Sequence, residues 1–134
     1  MKIVYIAHSV TNGNQDLDKV NTLAAWLKKK RYKVLQPSEV LFPDFLAPGA
    51  LKAIKQSDII IADVTIYSHG VGFELGYAYA LHKDIIVVSS ITAKDHISKF
   101  LIGLFPEIIY YKDNSDLLSK ISDQLPRSRC KRRE

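Results

Sequence analysis

One carboxylate, that of Glu74, lies in the apolar and aromatic stretch "HGVGFELGYAYALHK" at residues 69–83. The run "SDIIIADVT" before it reads as a buried strand, so a helix is expected to begin near Gly70. Backbone N–H groups and the helix dipole favour an ionised carboxylate in its first turns. Gly72 and Gly76 leave open space there for a planar or ring-shaped ligand. Such a carboxylate is a candidate nucleophile or oxocarbenium stabiliser in glycosidic chemistry. The alternative is an acid that merely offsets the dipole.

The sequence does not contain the motifs of other functions that are common among α/β domains. His8, His69, His82 and His96 are scattered, so we expect no metal site and no cofactor. The segment after the first predicted strand, "AHSVTNGN", does not fit the dinucleotide-binding G-x-G-x-x-G pattern, and a P-loop is absent from the sequence. A phosphoacceptor domain needs acids at the end of that strand, but the first acid is Asp16.

Strand and helix patterns alternate along the chain. Strands are predicted at residues 2–7, 32–36, 58–64, 84–90 and 107–111. Helices are predicted at residues 16–30, 50–57, 70–83, 93–105 and 115–125. This order predicts an α/β fold, a flavodoxin-like or Rossmann-like three-layer sandwich with a five-stranded parallel sheet.

Length and charge limit the organisation and the partners. The 134 residues suit one domain at 1–125, an irregular flap at 37–49 and a disordered basic tail at 126–134. The net charge is +5, of which +4 belongs to "RSRCKRRE", so we expect no nucleic-acid partner. No apolar run approaches the roughly 20 residues of a membrane span. The lone Cys130 fits a reducing, cytoplasmic setting.

A longer stretch, "SDIIIADVTIYSHGVGFELGYAYALHKDIIVV" at residues 57–88, resembles the signature of the nucleoside 2-deoxyribosyltransferase-like superfamily. Within it, the chain is most similar to the 2'-deoxynucleoside 5'-monophosphate N-hydrolases. Their pattern S-x-G-V-G-Y-E-L-G stands here as "SHGVGFELG", with Phe73 in place of tyrosine. The weaker similarity runs from the first strand to about residue 104. The resemblance implies hydrolysis of the base–sugar bond of nucleoside 5'-monophosphates, with Glu74 as the nucleophile.

The resemblance also implies substrate contacts near the strand ends. The serine six residues before the glutamate contacts the 5'-phosphate in the nucleotide-specific branch, and Ser68 occupies that place. The pattern Y-x-x-G-S of the first strand matches "YIAHS" at Tyr5 and at the phosphate-contacting Ser9. His8 replaces the glycine of this pattern, and it either lines the base pocket or caps the strand end.

A third serine and two glycines complete the implied site. Ser98, in "SKFLIG", aligns with a serine that reaches the active site of a neighbouring subunit, which implies a homodimer. Gly70 and Gly72 would let backbone amides at the helix start bind phosphate directly.

Two departures from the pattern leave alternatives open. Thr11 stands where the hydrolases carry an arginine, and Ala50 stands where they carry an assisting aspartate. The nearest upstream acid is Asp44, and loss of an acid lowers a rate by roughly 10²–10⁴-fold. A non-catalytic nucleotide-binding module is therefore the competing function. A nucleoside deoxyribosyltransferase is the third, and Ser68 argues against it. Asp63 is interpreted as a structural partner for nearby loop amides.

Overall fold

A computed structural model describes residues 1–9, 17–36 and 46–125 of the chain. Its strands are β1 (Ile3–Ala7), β2 (Lys33–Leu35), β3 (Ile59–Asp63), β4 (Asp84–Ser90) and β5 (Ile109–Tyr111). Its helices are α1 (Leu17–Lys29), α2 (Leu46–Gln56), α3 (His69–Ala80), α4 (Lys99–Leu104) and α5 (Asn114–Gln124), with a 3₁₀ helix at Ile91–His96. The predicted basic tail and most of the predicted flap lie outside the described residues.

The five strands form one parallel sheet in the order β2-β1-β3-β4-β5, which confirms the predicted fold class. Alternate residues of each strand face opposite helical layers. Ile59 and Ile61 of β3 pack in the cluster that α1 and α5 cover. Ile60 and Ala62 pack in the other cluster, under α2 and α3. Burial on both faces explains the continuous apolar run of β3, since a central parallel strand has no solvated side.

The parallel arrangement brings the carboxyl ends of the strands to one edge of the sheet. Ala7 of β1 pairs with Ala62 of β3, and Ala62 pairs with Val87 of β4. The residues that follow these strands therefore start from neighbouring points. In sheets of this kind ligands bind at that edge.

The structure corrects the predicted helix at 93–105, which is two helices. The 3₁₀ helix ends at His96, Ile97 has extended backbone, and α4 begins at Lys99 after its N-cap residue Ser98. The Ser98 hydroxyl accepts a hydrogen bond from the N–H of Phe100 at 3.2 Å, so it starts a new helix instead of continuing the old one.

Two helix boundaries also differ from their predictions. Helix α2 begins at Leu46, four residues before the predicted start. Pro48 then falls in the first turn, where the missing N–H breaks no helical hydrogen bond. Helix α3 ends at Ala80 because His82 adopts the left-handed backbone conformation, with φ of 58°.

Candidate active site

Helix α3 begins with a polar cap at the carboxyl edge of the sheet. Ser68 has extended backbone, and its hydroxyl accepts a hydrogen bond from the N–H of Val71 at 3.2 Å. Its carbonyl accepts from the N–H of Gly72 at 3.1 Å. The N–H groups of His69 and Gly70 come before Gly72, the first residue whose N–H makes this helical hydrogen bond, and they point out of the N-terminal end of α3. Together with the helix dipole they suit an anionic group such as a phosphate.

Three glycines of α3 leave part of its surface without side chains. A methyl group at Gly70 would lie 3.7 Å from the Ser68 hydroxyl, an ordinary contact. At Gly72 and Gly76 it would meet no atom of the described residues within 4 Å, apart from the adjacent residues and the nearby backbone of α3 itself. Packing inside the described chain therefore does not require these glycines. They allow a molecule outside the chain to approach the helix backbone closely.

Glu74 lies on the buried face of α3, with Val71, Leu75 and Ala78. Its side chain is 8% exposed. The hydroxyl of Tyr5, a fully buried residue of β1, donates a hydrogen bond to Glu74 Oε2. This contact joins positions 69 residues apart in the sequence. It holds the carboxyl group beside β1 and fixes its orientation.

Burial governs the protonation of this pair. It raises the pKa of Glu74 to about 7, because the charged form loses hydration, while the hydrogen bond from Tyr5 acts in the opposite direction. Burial and the neighbouring Glu74 also raise the pKa of Tyr5 well above its ordinary value of 10.0. Tyr5 therefore remains a hydrogen-bond donor at neutral pH, and Glu74 exists there both as the carboxylate and as the acid.

The end of β1 places two further buried polar side chains at this edge. His8 is 5% exposed and Ser9 is 8% exposed. The Nδ1 atom of His8 lies 3.1 Å from the carbonyl oxygen of Ser9, which accepts a hydrogen bond from the Nδ1–H form of the ring. The Ser9 hydroxyl has no hydrogen-bond partner in the described part of the chain. Both roles considered for His8, a strand-end cap and a wall of the base pocket, stay predictions.

Ser98 lies on the far side of α3 from Glu74. A cavity of about 850 Å³ between α3 and α4 is lined by Ser68, Ser98, Gly72 and Leu75 among others, but not by Glu74. Glu74 turns instead towards β1, which lies on the α2 side of α3 in the strand order. In one copy of the chain, Ser98 and Glu74 therefore face opposite flanks of α3.

The position aligned with the assisting aspartate is apolar and buried. Ala50 is 6% exposed on α2 and packs in the cluster beneath α2 and α3. Asp44 and Thr11 lie outside the described residues. Within residues 1–9, 17–36 and 46–125, no group of three or more His, Cys, Asp or Glu side chains is arranged to hold a metal ion. None of the described helices is long and apolar enough to span a membrane.

Sequence reasoning missed a polar cluster at the same edge. Asp63 accepts hydrogen bonds from the N–H of Thr65 at 2.9 Å and from the hydroxyl of Tyr111 at 2.6 Å. The first contact is the loop-amide role predicted for Asp63. The second joins residues 48 positions apart, and no sequence pattern signals it. Lys19 of α1 completes the cluster by donating to the Tyr111 hydroxyl at 2.6 Å.

Comparison with known proteins gives concordant matches over most of the chain. The profile of the family described as "Nucleoside 2-deoxyribosyltransferase" matches residues 4–104. The "Putative 2'-deoxynucleoside 5'-phosphate N-hydrolase 1" of Thermofilum pendens is 23% identical over 137 residues, which cover 93% of this chain and 96% of that protein.

Two solved structures have the same fold. The CMP N-glycosidase BcmB of Clostridium botulinum has a TM-score of 0.73 and 25% identity, over 90% of this chain and 98% of that one. A conserved protein of Enterococcus faecalis V583 has a TM-score of 0.69 over 92% and 99% of the two chains. Its 17% identity supports likeness of fold alone.

Proposed function

The chain belongs to the nucleoside 2-deoxyribosyltransferase family, and on that premise we propose that it hydrolyses the N-glycosidic bond of nucleoside 5'-monophosphates, 2'-deoxynucleotides in particular. The observation that carries the proposal is the buried Glu74 carboxyl group, held by the Tyr5 phenol on the helix whose N-terminus suits a phosphate. The names of two similar proteins, a deoxynucleoside 5'-phosphate N-hydrolase and a CMP N-glycosidase, support the same substrate class.

Glu74 acts as the nucleophile in the proposed reaction. Tyr5 binds Oε2, so Oε1 attacks the anomeric carbon as the bond between that carbon and the base nitrogen breaks. The base leaves with the electron pair of that bond and takes up a proton. Water then attacks the anomeric carbon of the glycosyl-enzyme ester, loses a proton and releases the sugar phosphate. Two displacements at one carbon retain its configuration.

Phosphate recognition would come from the loops around the start of α3. The N–H groups of His69 and Gly70 supply donors on the positive end of the helix dipole. The buried Ser9 hydroxyl and the Ser68 hydroxyl add donors from two different strand ends. A serine at position 68, where the transferase branch carries an acid for the sugar, favours nucleotides over nucleosides.

The proposed active form is a cytoplasmic homodimer in which Ser98 of one subunit completes the site of the other. Its support is that Ser98 and Glu74 face opposite flanks of α3 within one chain. Exposed apolar side chains of α3 and α4 suit contact with a second copy, since Phe73 is 65% exposed and Phe100 is 73% exposed.

Mixing two inactive variants tests the shared site. Glu74→Gln and Ser98→Ala proteins, each inactive or weak alone, are combined after mild dissociation and reassociation. If Ser98 acts across the interface, about a quarter of all sites regain both native residues, because half of the dimers are mixed and each has one intact site. If both residues serve one site within a chain, the mixture recovers no activity, and the shared site is refuted.

The activity itself is tested with a panel of ribo- and deoxynucleoside 5'-monophosphates, with chromatography for the free base. We expect base release by the parent and none by Glu74→Gln, which removes the nucleophile but keeps a side chain of nearly the same shape. Each 1.36 kcal/mol added to the barrier lowers the rate about tenfold, so loss of a nucleophile reduces the rate by several powers of ten. Base release by Glu74→Gln at the parent's rate would end the assignment.

A second candidate, a non-catalytic nucleotide-binding module, is favoured by Ala50. This buried apolar residue stands where the related hydrolases carry an acid. The same panel separates the candidates, since a binding module retains monophosphate affinity in calorimetry but releases no base from any substrate.

A further inference from the structure

Four polar residues at the carboxyl edge of the sheet form a cluster, Lys19, Asp63, Thr65 and Tyr111, which we call the anchor cluster. The Tyr111 hydroxyl donates to Asp63 Oδ2 at 2.6 Å and accepts from Lys19 Nζ at 2.6 Å. Lys19 Nζ also lies 4.0 Å from Asp63 Oδ2 and 4.7 Å from the centre of the Tyr111 ring. Asp63 and Tyr111 are both buried, so these contacts are shielded from water.

Thr65 connects this cluster to two loops. Its N–H donates to Asp63 Oδ1 at 2.9 Å, and its hydroxyl lies 3.2 Å from the Tyr111 hydroxyl. The same Thr65 oxygen accepts a hydrogen bond from the N–H of Ser90 at 2.8 Å. Thr65 opens the loop that leads to α3, and Ser90 is the last residue of β4. One threonine side chain thus sets the relative position of the β3–α3 loop and the β4–α4 segment.

Two serines of the implied site, Ser68 and Ser98, lie on segments that begin at this cluster. Ser68 follows Thr65 by three residues, and Ser98 lies beyond the 3₁₀ helix that starts after Ser90. The cluster itself packs on the α1 and α5 side of the sheet, opposite the Glu74–Tyr5 pair.

We propose that the anchor cluster positions the phosphate-binding loops, so that Tyr111 and Thr65 control affinity for the 5'-phosphate without touching the substrate. The inference rests on the proposed function. A buried hydrogen-bond network with matched donors and acceptors is rigid, and its loss lets the attached loops sample other positions. Hydrogen bonds to a phosphate depend steeply on donor placement. Ser68, the proposed phosphate contact on the β3–α3 loop, follows Thr65 by only three residues.

The test uses Tyr111→Phe, which removes the hydroxyl and keeps the buried ring. Its matched control is Tyr110→Phe, the same change at the neighbouring position of β5, whose ring packs with the opposite cluster. Calorimetry measures the Kd of CMP and of cytidine, with Glu74→Gln as the common background so that the ligand is not consumed. We expect Tyr111→Phe to weaken CMP binding about tenfold and to change cytidine binding less than twofold. The control should change neither by more than twofold.

A second variant, Thr65→Val, tests the same hydrogen-bond network at a different residue. It removes the acceptor for the Ser90 N–H, so we expect a loss of CMP affinity at least as large as that of Tyr111→Phe. Because both changes break one network, the double variant should lose less than the product of the two single effects. Unfolding temperatures report folding, and Tyr111→Phe remains informative if Thr65→Val does not fold.

Three outcomes overturn the positioning role. They are an unchanged CMP affinity in Tyr111→Phe, an equal loss for CMP and cytidine, and the same loss in Tyr110→Phe. Failure of the proposed catalytic function has a different readout, which is base release by the Glu74→Gln background or its absence from the parent. A background protein that binds CMP no better than cytidine would refute the phosphate site and the positioning role together.

Discussion

The buried carboxyl group of Glu74 makes a prediction about stability that does not depend on finding a substrate. Its pKa is raised from the ordinary 4.5 to about 7, chiefly because burial removes water from the charged form. At about 1.4 kcal/mol for each tenfold change in the protonation equilibrium, this difference corresponds to about 3 kcal/mol. Glu74→Gln removes the ionisation and keeps an oxygen that can accept the Tyr5 hydrogen bond. We therefore expect the variant to be more stable than the parent at alkaline pH.

The sign follows from proton linkage. Between pH 4.5 and 7 the folded protein keeps a proton on Glu74 that the unfolded chain has lost, so the parent loses stability as the pH rises through this range. Above pH 7 the full cost of about 3 kcal/mol is present, and at pH 5 less than about 1 kcal/mol remains. The stabilisation by Glu74→Gln should therefore grow from pH 5 to pH 8.5.

Thermal unfolding of the parent and the variant at pH 5.0, 7.0 and 8.5 measures this difference. For a domain of this size, 3 kcal/mol corresponds to a Tm shift of roughly 10 °C at pH 8.5. Glu107→Gln is the matched control, because Glu107 is exposed in the folded protein. A Tm difference that is constant with pH, or absent at pH 8.5, would show that burial does not penalise the Glu74 charge.

The remaining predictions concern the same pair and the start of α3. With Glu74 as an ionised nucleophile of pKa about 7, kcat/KM should be about tenfold lower at pH 6 than at pH 8, in a pH–rate profile for the best monophosphate. Tyr5→Phe removes the hydrogen bond that lowers this pKa, so the acidic limb of the profile should move to higher pH; an unmoved limb would refute the coupling. Ser68→Ala should lose about 1 kcal/mol of stability with the helix cap, and should weaken monophosphate binding more than nucleoside binding. Asp113→Ala, which removes the cap of α5, should lose similar stability without that selectivity.

Much of the fold could be predicted because its patterns are local. Strands buried on both faces are continuous apolar runs, and the helices between them have apolar stripes, so element type and order follow from neighbouring residues. Residues 93–105 form two helices because the Ser98 hydroxyl accepts the N–H of Phe100, an N–H that would bind a backbone carbonyl in a continuous helix. Serine is common inside and before helices, so its type alone does not predict such a break.

In the candidate site, too, some residues could be predicted from the sequence and others could not. Glu74 and Ser68 belong to a contiguous motif, and the resemblance that this motif carries also assigned Tyr5 to the site. The Tyr111–Asp63 contact has no such signal, because it depends on the register of β3, β4 and β5 and on which face each side chain takes. The side of α3 on which Ser98 lies could not be predicted from the sequence either. It depends on the strand order, because the spacing of apolar residues in a helix does not show which elements pack beside that helix.

Two buried acids at the carboxyl edge of the sheet, Asp63 and Glu74, differ in how far neighbouring groups compensate their charge. Asp63 accepts from a backbone N–H and from Tyr111, with the Lys19 ammonium 4.0 Å away, so its charge is compensated within the described structure. Glu74 is buried to the same extent, 8% exposed in both cases, yet its partner in the described part of the chain is the Tyr5 phenol. A carboxylate whose charge is compensated by hydrogen bonds fixes the position of its donors, and forming a covalent bond would stabilise it little. An acid with so little compensation destabilises the folded protein when it is ionised, and it loses that charge on forming an ester with an anomeric carbon. In the proposed reaction, the burial that makes the Glu74 carboxylate destabilising in the folded protein would also favour its attack on the anomeric carbon.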